Sequence, residues 1–182
     1  MIKVILIHGM SATSRNHWFP WLEKALKKRE IEVVNKTFPK NLETKAEVLL
    51  NFLEKELKAD ENTILIGHSS GAAVAMRYAE NHQIYGSILI GALYTDLGYK
   101  EEQETELFEK EWDWKKIREN QNWIIQFASL DDPYIPVEQP QYIHKKLNTE
   151  YYEYKDQKHF GSEHYSPKKF PDLLEKLVEK VM

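Results

Sequence analysis

The chain has 182 residues and a formal net charge of −4, with no basic excess to form a phosphate-binding surface, so nucleic acid is a poor partner. It contains no cysteine, which excludes disulfides, thiolate zinc sites and a cysteine nucleophile. The length suits one domain spanning residues 1–182, and 42% hydrophobic residues supply a core without staples.

The first apolar run, Val4-Ile5-Leu6-Ile7, meets Gly9 too soon for a signal-peptide core and reads as a strand. Trp18, Trp21, Leu22, Ala25 and Leu26 then keep the spacing of one helix face. Ile31-Glu32-Val33-Val34 carries charge and suits an edge strand. Ala46, Leu49, Leu50, Leu53 and Leu57 predict a second amphipathic helix. Ile64-Leu65-Ile66, Ile88-Leu89-Ile90 and Trp123-Ile124-Ile125 are continuous rather than alternating, as in parallel strands covered on both faces. Tyr151-Tyr152-Glu153-Tyr154 suits a second edge strand, and Phe170, Leu173, Leu174, Leu177, Val178 and Val181 stripe a last helix. No apolar run approaches the ~20 residues that span a bilayer, and a soluble, cytoplasmic protein is expected. Alternating strands and helices predict an α/β class with an open, parallel, doubly wound sheet and helices on both faces.

One connection is unusually long. Residues 93–122 leave the end of a central strand and hold the acidic stretch Glu101–Glu106 with Phe108, Trp112 and Trp114. They are expected either to form a small cap over a site, with the aromatics turned to substrate and the glutamates to water, or to anchor a surface helix.

The chemistry concentrates in Gly67-His68-Ser69-Ser70-Gly71, a Gly-x-Ser-x-Gly pattern between an apolar strand and a helix of small residues. A serine at such a turn is pushed out of the sheet's end, and the flanking glycines carry no Cβ to collide with neighbouring backbone. The helix N-terminus offers free N–H groups to a developing oxyanion. Ser69 is therefore the candidate nucleophile, and a serine needs a base that is itself oriented by a carboxylate. Candidates follow in the order nucleophile, acid, histidine. Asp132 begins Asp-x-x-Ile-Pro after the strand at Trp123, with Asp131 as its alternative. His159 follows the last strand, with His164 as its alternative. Loop backbone N–H groups at Met10 and Ser70 are the expected oxyanion donors, while His8 and His68 are expected to be structural.

Gly-His-Ser-Ser-Gly-Ala, Met-Arg-Tyr-Ala-Glu, Asp-Asp-Pro-x-x-Pro and Lys-His-Phe resemble the small serine hydrolases related to retinoblastoma-binding protein nine. Asn16-His17-Trp18-Phe19-Pro20-Trp21-Leu22 resembles the bacterial YdeN-type members of that group. The resemblance spans nearly the whole chain. It implies an α/β-hydrolase fold with six parallel strands in order 2-1-3-4-5-6, no metal, no cofactor, and Ser69, Asp132 and His159 acting together. One departure is Lys158, where such proteins place a glycine before the histidine. The expected activity is hydrolysis of a small-molecule acyl ester through an acyl-enzyme. The alternatives are a peptide, amide or thioester hydrolase with the same residues, or an interaction module with little turnover. An aspartate at the elbow, as in dehalogenases, is absent, and so is a dinucleotide-binding glycine motif after Gly9.

Overall fold

The apolar runs become parallel strands whose successive side chains enter two different cores. In a computed structural model describing residues 1–182, six strands form one sheet. They are β1 (Lys3–Ile7), β2 (Glu32–Val34), β3 (Thr63–His68), β4 (Gly86–Ile90), β5 (Ile124–Ser129) and β6 (Glu150–Tyr154), and their order is 2-1-3-4-5-6. Every pairing is parallel. Ile5, Ile7, Leu65 and Leu89 face one core; Val4, Leu6, Ile64, Ile66, Ile88 and Ile90 face the other. Period-two geometry with both faces covered explains why these strands read as unbroken apolar runs.

On the second face lie α1 (Phe19–Lys27) and, at the chain's end, α7 (Pro171–Val181). The first face carries α2 (Ala46–Asn51), α3 (Ser70–Ala79), α5 (Trp114–Glu119) and α6 (Glu138–Leu147), with the short α4 (Lys100–Glu104) lying between α3 and α5 in sequence. The expected second helix is shorter than its apolar stripe. It stops at Asn51 and continues as one wide turn, Phe52–Glu56, which still buries Leu53. The first helix begins at Phe19, one residue after the fully buried Trp18, because Pro20 suits only a first helical turn.

The long connection meets the core through its aromatics. Phe108, Trp112 and Trp114 pack against the cluster that holds α3, and Trp112 Nε1 donates to the Tyr94 carbonyl at 2.8 Å. The Arg77 guanidinium lies 3.6 Å from the centre of the Trp112 ring. It donates to Glu80 Oε1 at 2.7 Å and to the carbonyls of Leu107, Lys110 and Glu111. The glutamates do not all face water. Glu102 falls on the inner side of α4, three residues before buried Thr105, and is itself buried.

Arg77 is 7% exposed, so its removal strips the donors from the carbonyls of Leu107, Lys110 and Glu111 and leaves the Glu80 carboxylate with only the Asp113 N–H. Arg77→Ala is expected to cost about 3–5 kcal/mol, and Arg77→Lys to recover only part, since an ammonium lacks the planar fork. Urea unfolding with an unchanged m-value is the check; a midpoint shift worth less than about 1 kcal/mol would refute this role.

Candidate active site

Parallel strands place all their carboxyl ends on one edge, and that edge collects the chemistry. Ser69 follows β3 and caps α3 with φ 55° and ψ −125°, a conformation that L-residues adopt only under constraint. The constraint is the close seat of α3 beside β1. A Cβ on Gly71 would fall on the Ile7 carbonyl oxygen and within 2.6 Å of that of His8. Ser69 N–H continues the sheet ladder to Ile90 O at 2.8 Å, so the residue is held on both sides of its side chain. The N–H groups of Met10 and Ser70 donate to no protein acceptor. In Ser70 this is the unavoidable orphan of a helix start.

The loop after β6 brings His159 to Asp132, which follows β5. His159 Nδ1 lies 2.6 Å from Asp132 Oδ2, and both side chains are buried. The other Asp132 oxygen, Oδ1, accepts from the N–H groups of Tyr134 and Ile135 at 2.9 and 3.0 Å. A carboxylate so surrounded can only accept, so Nδ1–H donates to it, and in the neutral ring Nε2 is then the nitrogen that accepts. Gly91, at φ 55°, makes room for the imidazole: a Cβ there would come within 3.2 Å of its ring.

Asp131 does different work from Asp132. Its Oδ1 accepts from Lys158 N–H at 2.8 Å and from Ser129 Oγ at 2.7 Å, while Oδ2 lies 3.0 Å from Lys158 Nζ. Burial pushes this carboxyl up, but the Ser129 and Lys158 hydrogen bonds outweigh it and hold it below its usual range. Lys158 has φ 49°, the left-handed conformation a glycine would adopt without strain. The departure from glycine at this position therefore keeps the glycine-like backbone path, with Asp131 clamping it. His164 is exposed and pairs with no carboxylate.

His8 and His68 are structural by their partners. His8 Nδ1 bonds the Gly9 carbonyl at 2.8 Å and Nε2 accepts from Phe38 N–H at 2.9 Å, which uses both nitrogens of a neutral ring. His68 Nε2 lies 2.7 Å from the His159 carbonyl oxygen and ties the elbow to the histidine loop. Burial holds His68 well below its usual value and lowers His8 as well. Trp18 Nε1 donates to the Phe160 carbonyl at 2.9 Å, a contact that its place in an apolar helix stripe did not announce.

A cleft of about 710 Å³ opens over this edge and is bordered by Met10, Ser69, Tyr99, Glu102, Tyr134 and His159, among others. Residues 93–122 therefore reach the cleft through Tyr99, Glu101 and Glu102, not through Phe108, Trp112 or Trp114. The Glu102 carboxyl accepts from Ser70 Oγ. No group of three or more His, Asp or Glu side chains converges to hold a metal ion. No helix is long and apolar enough to cross a membrane.

Comparison with known proteins agrees with this architecture. The serine hydrolase family model matches residues 4–176. Serine hydrolase RBBP9 of Rattus norvegicus is 38% identical over 161 residues, covering 87% of each chain. The putative hydrolase YdeN of Bacillus subtilis is 29% identical over 163 residues, covering 87% of this chain and 85% of its own. The crystal structure of the B. subtilis ydeN gene product superposes with a TM-score of 0.88 at 26% identity, over 100% of this chain and 99% of the other. The sheet order, the serine elbow and these similarities lead to one assignment: the chain belongs to the serine hydrolase family.

Proposed function

We propose that this hydrolase cleaves small acyl esters through a covalent intermediate on Ser69, with His159 as base and Asp132 as its orienting carboxylate. The observation that carries the reading is the 2.6 Å contact between His159 Nδ1 and Asp132 Oδ2, which leaves Nε2 free to take a proton on the edge that presents Ser69. In the first half-reaction, the Ser69 hydroxyl proton passes to His159 Nε2 as Oγ attacks the ester carbonyl carbon. The Met10 and Ser70 N–H groups donate to the oxygen that becomes negative. The tetrahedral adduct collapses, the alcohol leaves with the proton from His159, and the acyl group remains on Oγ. Water then gives its proton to the same nitrogen and attacks the acyl carbon; the acyl–Oγ bond breaks, Ser69 Oγ takes that proton back, and the acid is released. Asp132 keeps the imidazole in one tautomer and stabilises the imidazolium.

The cleft favours a short acyl group. Only Met10, Ala12, Tyr99, Tyr134 and Ile135 of its lining are hydrophobic, too little apolar wall for a long chain. Amides and thioesters pass through the same steps, and matched esters and amides rank them. Asp131 is a positioning residue in this scheme, because it fixes the backbone immediately before His159.

Ser69→Ala is expected to abolish fluorophosphonate labelling and to lower kcat by about 10⁴–10⁶-fold with an unchanged circular dichroism spectrum. Retained turnover in that variant would exclude Ser69 as nucleophile. In an acyl-length series, kcat/KM should be greater for acetyl and butyryl esters than for octanoyl. Phe108→Ala should lower Tm without altering that order, and a changed order would return Phe108 to the substrate. Asp131→Ala should lower kcat about tenfold with KM little changed, on the scale of a misplaced catalytic group. Adding Lys158→Gly to it should restore most of the loss, because glycine holds φ near 50° unaided. Failure of the double variant to recover would reject the clamp.

A further inference from the structure

One buried ionisable group at the cleft has no part in the chemistry above. Glu102 is only 6% exposed, yet it sits beside the turn that carries Ser69. Its Oε1 accepts from Ser70 Oγ, while Oε2 is buried without any hydrogen-bond partner. Ser70 is the residue whose N–H is assigned to the oxyanion. The carboxyl thus holds the side chain of the residue whose main chain would stabilise negative charge.

No lysine or arginine is paired with it. The charged groups that act on it are Asp96 from the loop before α4, Glu101 from its own helix, and His159, while Tyr99, Tyr134, His17, His68 and Glu163 border the same cleft. Lys45, ahead of α2, is paired with Glu106 instead. No lysine or arginine lines the cleft.

An ionised Glu102 would place a full negative charge, with one unsatisfied oxygen, beside the site where the reaction itself develops a negative oxygen. In a desolvated setting that opposes the transition state directly. A neutral carboxyl keeps the hydrogen bond to Ser70 without the charge. We propose that Glu102 is a positioning residue of the oxyanion site that works in its neutral form, so that its ionisation switches the hydrolase off as pH rises. The inference rests on the reading of Ser69 and Ser70 given above.

Burial raises the Glu102 carboxyl above its usual range, with Asp96 and Glu101 pushing the same way; the Ser70 hydrogen bond and His159 oppose the shift without cancelling it. The sign for stability follows. A carboxyl raised in the folded state contributes its stability at low pH and loses it as pH rises through the folded-state value. For activity, Glu102 must be protonated, so the rate falls as pH rises through its ionisation.

The test measures the fluorophosphonate labelling rate of Ser69 against pH in wild type and in Glu102→Gln, with Tm recorded at each pH. Phosphonylation also develops negative charge on an oxygen directed at the same N–H groups. In wild type the logarithm of the rate should fall with a slope of about −1 above the ionisation of Glu102. Glu102→Gln keeps the Ser70 acceptor and should lose this alkaline limb. Its Tm should exceed that of wild type by a margin that grows with pH. Equal alkaline limbs in the two proteins, or a Tm difference independent of pH, would overturn the inference. A wild-type protein that does not label at any pH would instead overturn the proposed function, whereas the Tm comparison reads the Glu102 ionisation without any turnover.

Discussion

The architecture of the site follows from one steric fact, the close seat of the α3 N-terminus against β1. Gly71 has no room for a Cβ between the carbonyls of Ile7 and His8, and every residue of α3 is buried. With the helix fixed there, the chain turning from β3 into it must pass through φ 55° at Ser69. Such a conformation costs about 1–3 kcal/mol and persists only where surrounding packing over-determines it. Two apolar clusters, one on each face of the sheet, supply that packing.

The histidine loop is held by a different principle, since it has no helix or strand to define it. Lys158 and Phe160, on either side of His159, both have positive φ. Three distant elements fix this path: Asp131 through the Lys158 N–H, His68 through the His159 carbonyl, and Trp18 through the Phe160 carbonyl. Each bond is to main chain, so the imidazole is aimed by its backbone and then oriented by Asp132. A ring supported in this way keeps its geometry better than one on a free loop.

Electrostatically, burial acts on three ionisable groups at or beside this edge. Burial favours neutral His8 and His68 and opposes ionisation of Glu102. The Asp132 oxygens are satisfied by two backbone N–H groups and one imidazole. Oriented dipoles in such surroundings act more strongly than in water.

Much of this was legible in the residues alone. Continuous apolar runs marked two-sided parallel strands, and the glycines and alanines around Ser69 marked a tight strand-to-helix turn. The spacing of Asp132 from Pro136 and the place of His159 after the last strand singled out the pair that the fold brings together. These signals are local: periodicity and turn sterics act within a few residues, so the chain carries them wherever it folds. Glu102 looked like one of several solvated glutamates, Arg77 like an ordinary helix arginine, and Lys158 like a break in a motif. Their roles arise from contacts made across 32, 34 and 27 positions, with Ser70, Glu111 and Asp131. Only the tertiary structure decides such pairings, because burial and hydrogen-bond partners depend on which loops meet at the sheet's edge, and no local pattern records that.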